Sequence, residues 1–214
     1  MENPSSTPQS ARGEATRELI VLAAERMFAE QGILAVALRD IGIAAGQKNS
    51  VAVQYHFGDR DTLLRAVASH RAAFVDRARV ELLEELEQTG RAPTPEDYVR
   101  ALVVPLARNV TEGNHYVPFL ARYMVERGGY GGLETTVPTG TVDALTSLLR
   151  RVLPDVPSDL LDHRWEIVMT TAVTTLGQHQ LSGRAGAAQL ALDVVIEDLV
   201  RFLAAGLSAP PEDG

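Results

Sequence analysis

Apolar residues recur every three or four positions along most of the chain, and alternation of apolar β-branched residues with polar ones is lacking. Alanine, leucine, arginine and glutamate dominate these periodic segments. The pattern therefore predicts an all-α fold. In chain order, the expected helices cover Ala15–Gln31, Leu38–Ala45, Ser50–Phe57, Asp61 to about Gln88, Pro95–Val110, His115–Arg127, Thr139–Leu153, Ser158–Leu181 and Ala187–Leu207.

Glycine and proline clusters separate these segments and predict how the chain is divided. Gly32 ends the first segment, while 128–132 and 154–157 are further breaks. No Lys-Ser or Lys-Thr follows the glycines of 128–132, which favours a connection over a phosphate-binding loop. We expect a polar N-terminal arm at 1–13, a three-helix domain at 14–60, a six-helix domain at 61–208 and a tail at 209–214.

The second and third predicted helices have the features of a helix-turn-helix. Gly46 follows the first of them, where a glycine can take the left-handed conformation that turns the chain into the next helix. In the second short helix, Val53 and Phe57 are four residues apart and are expected to face inward. Their expected neighbours are Ile20, Phe28 and Ile41.

The opposite face of the second short helix is predicted to be open. A rotation of about 100° per residue places Val51, Gln54 and Tyr55 there, with Lys48 and Asn49 just ahead. Gln bonds adenine bidentately and Val contacts a thymine methyl group, whereas Tyr, Lys and Arg suit phosphate oxygens. This face therefore has the chemistry of a surface that binds the major groove of double-stranded DNA.

The segment 16–67 resembles the TetR family of repressors. The resemblance depends on an ordered set of signatures: Thr16-Arg17-Glu18-Leu19-Ile20, Ala23-Ala24-Glu25-Arg26-Met27-Phe28, Gln31-Gly32, Arg39-Asp40-Ile41, Ala45-Gly46, Tyr55-His56-Phe57 and Leu63-Leu64. It implies an all-α homodimer with an N-terminal helix-turn-helix domain, a six-helix ligand-binding domain and dimerisation through the last two long helices. It also implies that Tyr55 and His56 end the recognition helix and that Arg60 contacts phosphate. The DNA-binding residues expected altogether are Arg39, Lys48, Asn49, Ser50, Val51, Gln54, Tyr55, His56 and Arg60.

The chain departs from the family pattern at three places. Ala37 stands where Ser or Thr usually caps the second helix, which forfeits about 1 kcal/mol. Gly42 replaces a usual Ala at a similar cost of about 1 kcal/mol in helix propensity. The turn 47–50 is at least one residue longer than the common pattern, so base-contact positions do not transfer directly from the family.

The second domain carries candidate ligand-binding and dimerisation residues. Phe74, Phe119, Tyr123, Met124, Leu145 and Trp165 form a candidate pocket wall whose aromatic character favours a lipophilic small-molecule effector. Arg71, Arg108 and Arg122 are compatible with an anionic group on it. The same apolar stripes also fit a core or a dimer seam. The candidate dimer interface consists of Val168, Thr175, Leu192, Val195, Leu199 and Phe202.

The net charge of −8 argues at first against a nucleic-acid partner. Residues 1–60, however, carry six basic and seven acidic side chains, so most of the acidity lies in the rest of the chain. Because DNA binding needs only a local set of phosphate donors, the overall sign of the charge does not exclude it.

Other functional classes lack their sequence signatures. Cysteine is absent, which excludes disulfides and thiolate metal sites, and the five histidines have no metal-ligand spacing. The motifs Gly-x-Ser-x-Gly, His-Glu-x-x-His and the phosphate loop are missing, so we expect neither an enzyme nor a cofactor. No apolar run is long enough for a membrane span or a signal peptide, which predicts a cytoplasmic protein with no membrane partner.

The leading hypothesis is a repressor that binds palindromic operator DNA as a homodimer and is released by a small molecule. An activator fits the same sequence equally. A constitutive DNA binder without an effector and a helical interaction module that has lost DNA binding are the alternatives. The altered turn at 47–50 favours the interaction module, and a gel shift with DNA upstream of the gene separates it from a regulator.

Overall fold

The computed structural model describes residues 8–49, 51–129 and 140–211, and all regular secondary structure in these ranges is α-helical. This confirms the all-α fold with its N-terminal helix-turn-helix. The helices are α1 (Pro8–Gln31), α2 (Leu38–Ala44), α3 (Ala52–Phe57), α4 (Arg60–Gln88), α5 (Pro95–Ala107), α6 (Tyr116–Arg127), α7 (Gly140–Val152), α8 (Ser158–Arg184) and α9 (Leu192–Leu207). We call α1–α3 the head and α4–α9 the body. Some of the predicted segments lie outside the described residues: Ser50, Thr139, part of the expected arm, part of the expected tail and most of the Gly-rich break at 128–132.

Most helix boundaries agree with the sequence prediction within two or three residues, and the exceptions lie at the ends of α1 and α9. Helix α1 begins at Pro8 rather than Ala15, because proline fits the first turn of a helix, where its missing N–H is not needed. Helix α9 begins at Leu192 rather than Ala187. Gly186 takes φ = +72° after α8, and the chain leaves the helix axis there. The boundaries between the arm, the two domains and the tail stay predictions.

The inward face of the head is as the sequence predicts. Val53 and Phe57 of α3 are buried, and they belong to the same apolar core as their three expected neighbours. That core continues from the head into the body without a break. The head is therefore packed against the body as well as joined to it through α4.

Helix α6 provides much of the packing between head and body. On one side, the Phe119 ring lies 6.3 Å from the Phe28 ring of α1, measured between centroids. On the other side, α6 packs closely on α8, where a Cβ atom at Gly177 would lie 2.9 Å from Ala121 Cβ. Only a glycine allows this approach, so the small residue at 177 sets how closely α6 sits on α8.

Candidate DNA-binding surface and head–body junction

The turn between α2 and α3 is long. Residues 45–51 separate the two helices, whereas three or four residues are usual in a helix-turn-helix. Gly46 takes φ = +72°, and its N–H donates to Ile43 O at 2.9 Å. Asn49 Oδ1 accepts from the Val51 N–H at 3.1 Å just before α3. The extra length predicted from the sequence is therefore present, and local hydrogen bonds hold it.

The outer face of this segment consists of exposed side chains. Tyr55 is 85% exposed and Val51 is 49% exposed, although both flank the buried inner face of α3. Four polar candidates of the same segment, Arg39, Lys48, Asn49 and Gln54, are exposed as well. Six of the nine residues predicted to bind DNA thus lie on one solvent-facing stretch from α2 to α3.

His56 and Arg60 are more enclosed than the other candidates. The His56 ring meets the Tyr55 ring edge-on, with 5.1 Å between centroids. Arg60 Nη1 donates to Ile33 O at 2.5 Å, which ties the start of α4 to the loop after α1. Arg60 therefore stabilises the head directly, in addition to the phosphate contact that remains a prediction.

Arg17 positions α3, a role that the sequence analysis did not assign. Its Nη1 donates to His56 O at 3.0 Å, and its guanidinium carbon lies 4.3 Å from the centroid of the Phe57 ring. These two contacts fix the C-terminal end of α3 on α1. Arg17 precedes Ile20 by three residues and therefore lies on the same face of α1. A charged side chain on this apolar face was the sequence feature that could have indicated the role of Arg17.

Asp59 is the N-cap residue of α4, two residues after the end of α3. Its Oδ1 accepts from the Thr62 N–H at 2.7 Å, which caps the helix. This backbone hydrogen bond lowers the pKa of Asp59 below its ordinary value. The cap therefore stays charged at neutral pH and favourably placed at the positive end of the α4 dipole.

A buried carboxylate joins the head to the body. Glu25 of α1 is 2% exposed and accepts from Arg71 Nε of α4 at 3.1 Å. The same carboxylate accepts from the backbone N–H of His115, immediately before α6, at 3.1 Å. One side chain thus links α1, α4 and the start of α6.

A second carboxylate joins the C-terminal end of α6 to the head. Glu126 accepts from the N–H groups of Ile33 and Leu34 at 3.0 and 3.1 Å, in the loop after α1. A Cβ atom at Gly32 would lie 2.9 Å from Glu126 Oε1, and Gly32 itself has φ = +92°. The next residue, Arg127, pairs with Asp61 of α4. We refer to the contacts of Glu25 and Glu126 together as the junction.

The candidate pocket residues are distributed between the core and the surface. Five of the six are buried: Phe119, Tyr123, Met124, Leu145 and Trp165. Phe74 is 57% exposed and faces solvent. Four cavities of about 290–660 Å³ lie among the described residues, and none of the six lines any of these four. Their common role in ligand binding therefore stays a prediction.

The interior of the body also holds polar groups. Arg79 of α4 is 3% exposed, and its Nη1 donates to Asp76 Oδ1 at 2.6 Å and to Thr141 Oγ1 at 2.7 Å. Two other buried atoms, Asp76 Oδ2 and Trp165 Nε1, have no hydrogen-bond partner among the residues that the structure describes. Such orphaned groups are rare in folded proteins.

The candidate dimer residues divide in a similar way. Val168 and Leu199 are buried within the protomer, whereas Thr175, Leu192 and Val195 are half-buried. Phe202 is 70% exposed. Ile167 of α8 and Val194 of α9, which the sequence analysis did not single out, are each about half exposed. Each of these two helices therefore exposes large apolar side chains to solvent.

The described part of the chain offers no sign of two other kinds of site. Within these residues, no three His, Asp or Glu side chains lie close enough to hold a metal ion. No described helix combines the length and apolar character that crossing a bilayer requires.

Comparisons with known proteins match both parts of the chain. The family described as "Bacterial regulatory proteins, tetR family" matches residues 20–67, and "Tetracyclin repressor-like, C-terminal domain" matches residues 96–206. The HTH-type transcriptional dual regulator CecR of Shigella flexneri is 32% identical over 111 residues, which are 51% of this chain and 48% of CecR. The chain thus spans about half the length of this curated relative.

Solved structures share the fold at low sequence identity. An HlyIIR mutant protein carrying a linker with two thrombin sites has a TM-score of 0.56 and 16% identity, over 92% of this chain and 98% of that one. A gamma-butyrolactone receptor (ArpA-like protein) has a TM-score of 0.52 and 19% identity, over 90% of this chain and 98% of that one. Both likenesses concern the fold alone.

The family matches follow the order of the structure. The first covers the helix-turn-helix, and the second covers α5 to α9 almost completely. Because the second alone spans more than half of the 214 residues, the chain belongs to the tetR family of bacterial transcriptional regulators.

Proposed function

We propose that this protein is a repressor that binds palindromic operator DNA as a homodimer and releases it when a small-molecule effector binds the body. The observation that carries the proposal is the contrast between the two faces of α3 in a chain of this family. Its inner face is buried, while Gln54 and Tyr55 project from its outer face into solvent. A recognition helix needs this arrangement, because base edges are reached only by side chains that the protein itself does not bury.

The roles proposed for individual residues follow from their chemistry. Gln54 is the candidate for base recognition, since its amide can both donate to and accept from adenine. Arg39, Lys48 and Tyr55 are candidates for phosphate contacts, which position the head without selecting sequence. Val51, at the start of α3, suits a thymine methyl group.

The proposed dimer uses the exposed apolar side of α8 and α9. Ile167, Val194 and Phe202 are the large side chains available there, and a two-fold axis through this side would bury them against a second copy. A dimer of this kind would place two heads on the same side of the DNA, with half-sites about one helical turn, roughly 34–36 Å, or a multiple of it apart.

The proposed effector acts through α6. This helix carries Phe119 and Tyr123 in its middle and Glu126 at its end, so a molecule that displaces the buried rings would also move a contact of the head. A gamma-butyrolactone receptor shares this fold, which supports ligand binding as a property compatible with the architecture. Asp76 Oδ2 and Trp165 Nε1 would bond polar groups of an otherwise lipophilic effector.

Fluorescence anisotropy with DNA from upstream of the gene tests the DNA-binding role. Gln54→Ala is expected to cost about 1–3 kcal/mol on the specific site and little on random DNA. Arg39→Ala should weaken both similarly. Arg122→Ala, an exposed arginine on α6, is the control and should change neither. Equal losses for Gln54→Ala on specific and random DNA would disprove base recognition.

Sedimentation equilibrium tests the dimer. Phe202→Glu places a charge on the proposed interface and should yield a monomer, whereas Glu81→Lys, at an exposed position of α4, should not. A wild-type chain that stays monomeric at micromolar concentration would refute the dimer and, with it, the palindromic operator.

Ligand screening tests the effector. Compounds that raise the unfolding temperature are examined for loss of DNA affinity, and release by about one hundredfold corresponds to roughly 2.7 kcal/mol of differential affinity between the two states. If a broad lipophilic library yields binders that leave DNA affinity unchanged, the protein is a constitutive DNA binder.

A further inference from the structure

A cavity of about 550 Å³ with a mixed polar and apolar lining lies where the loop between α5 and α6 meets the end of α8 and the start of α9. Its polar lining comes from Thr111, Glu112, His179, Gln180, Arg184 and Gln189. None of the six candidate pocket residues contributes to it, so it is separate from the proposed effector site. Its volume falls within the roughly 300–1,000 Å³ that small-molecule sites occupy.

Gln180 is the most informative residue of this cavity, because it is only 6% exposed. Its Nε2 donates to the carbonyl oxygens of Thr111 at 2.8 Å and Asn114 at 2.6 Å. These two acceptors fix the orientation of the amide, since the reverse orientation would set oxygen against oxygen. Gln180 Oε1 is then buried, and no donor reaches it from the described part of the chain.

A buried acceptor beside a cavity, with no donor in the described chain, calls for a donor from outside the chain, either a water or a bound molecule. The charged side chains that line the cavity with Gln180 indicate the chemical class of a molecule that would fit. Arg184 and Glu112 both line the cavity, and both are exposed. They supply it with a cation and an anion. A ligand with an ammonium group would satisfy Gln180 Oε1 and Glu112, while its carboxylate would pair with Arg184.

We propose that this cavity binds a small zwitterion that carries an ammonium and a carboxylate group, of which free amino acids are the simplest. The proposal goes beyond the effector site in the body, because it concerns a different set of residues and a different chemical class. Binding itself does not depend on the function proposed above.

The position of the cavity also gives it a route to the head. Gln180 and Arg184 both donate to the carbonyl oxygen of Asn114 at 2.6 Å. The next residue, His115, donates its backbone N–H to Glu25 of α1. A ligand that draws Arg184 towards its carboxylate would weaken the hold on this loop, and the change would reach the junction. This regulatory consequence rests on the proposed DNA-binding function.

Isothermal titration calorimetry on the full chain, with each of the standard free amino acids at millimolar concentration, tests the binding. At least one amino acid should bind saturably with one site per protomer. Gln180→Met removes the orphaned acceptor and Arg184→Gln removes the cation, and each should weaken binding about tenfold or more. Gln178→Met, on the exposed side of the same helix, should leave binding unchanged. Unfolding midpoints of the variants show whether they keep the fold. If Gln180→Met does not fold, the loss of binding in Arg184→Gln, which lies at an exposed position, still tests the proposal.

The outcomes separate this proposal from the proposed function. Absence of saturable binding by every amino acid overturns the site, as does binding that neither variant weakens. A crystal structure soaked with the best binder that shows only water on Gln180 Oε1 would also overturn it. If amino acids bind while the protein binds no DNA, the cavity assignment holds and the repressor function fails.

Discussion

The outer face of α3 and the junction are two surfaces of the same small head, and they differ in almost every physical respect. On α3, Gln54 and Tyr55 extend into solvent. At the junction, Glu25 is almost completely buried, and both junction carboxylates are bonded to N–H groups from other elements. A surface kept for a partner leaves its hydrogen-bonding groups open to solvent, whereas a surface that fixes orientation satisfies them within the chain.

This difference predicts that substitutions on the two surfaces should have different effects on DNA affinity and on stability. Substitutions on the outer face of α3 should lower DNA affinity and leave the free energy of unfolding nearly unchanged, because Gln54 and Tyr55 are exposed. Substitutions at the junction should lower stability first. The predictions below test that separation, beginning with the largest expected effect.

Glu25→Ala should destabilise the protein by about 3 kcal/mol, since breaking a buried ion pair from one side leaves the partner uncompensated. The partner is Arg71, which is partly exposed, and the His115 N–H also loses its acceptor. Urea denaturation at a fixed protein concentration measures the change. Glu30→Ala, a more exposed carboxylate on the same helix, should cost less than about 1 kcal/mol. Equal effects of the two substitutions would show that burial at the junction is not what stabilises it.

Gly177→Ala should destabilise the protein by about 2 kcal/mol through overpacking between α6 and α8. The added Cβ atom would lie 2.9 Å from Ala121 Cβ and 3.3 Å from Val117 O, and backbone does not yield easily. Gly206→Ala in α9, where a Cβ meets open space, is the matched control and should be neutral or slightly stabilising. A neutral Gly177→Ala would mean that α6 can move away from α8 at little cost, and that the junction is looser than its contacts indicate.

The sequence predicted the helices and the open face of α3 well, because both depend on local periodicity. Each predicted helix is present, and Val53 and Phe57 face inward at their four-residue spacing. The junction could not be predicted. Glu25 is separated from Arg71 by 46 residues and from His115 by 90, and no pattern along α1 distinguishes it from a solvated glutamate.

The candidate sites show the same limit in the body. An aromatic stripe predicts burial but does not distinguish core from pocket, and Phe74 shares the stripe chemistry while facing solvent. The orphaned acceptor of Gln180 arises because two carbonyl groups from a loop 66 and 69 residues away take its amide donors. Only tertiary structure brings those groups together.

Gly42→Ala should stabilise the head by about 1 kcal/mol through higher helix propensity. The new Cβ atom would lie 3.5 Å from Val53 Cγ2, which is ordinary van der Waals contact. Gly46→Ala is the control with the opposite sign, because φ = +72° at that position disfavours any side chain. DNA affinity should change little for Gly42→Ala, since the outer face of α3 is untouched. Weaker DNA binding would instead indicate that flexibility of α2 contributes to recognition.

Ala37→Ser should also stabilise α2, by about 0.5–1 kcal/mol. Ala37 has the extended backbone of an N-cap residue, φ = −81° and ψ = 141°, but no side chain that caps the helix. A serine hydroxyl there can accept from a free N–H of the first turn. Thermal unfolding measures the gain, and Ala35→Ser, exposed and outside the helix, is the matched control. An equal gain at both positions would exclude capping as the cause.

The smallest effect is expected from the pH dependence of His115, whose side chain packs at the junction. Burial lowers the pKa of His115 below its ordinary value of 6.5, and the nearby charge of Arg184 lowers it further, while the carboxylates of Glu30 and Glu25 oppose the shift. The folded state therefore binds fewer protons than the unfolded state in this range. Stability is fully present above about pH 6.5 and decreases as the pH falls towards the pKa of the folded state.

His115→Gln should therefore lose less stability than the wild type between about pH 7 and pH 5. At pH 8 the substitution removes the contact of His115 Nε2 with Glu30 Oε1, at 3.3 Å, and the packing of a largely buried imidazole. Urea denaturation across this range measures the slope, and His70→Gln, an exposed histidine on α4, controls for the loss of an imidazole alone. Parallel pH profiles for wild type and His115→Gln would mean that the junction accepts a protonated imidazole without cost. In that case Glu30 and Glu25 would compensate Arg184 and burial completely, and the junction would be as tolerant of added charge as the open face of α3.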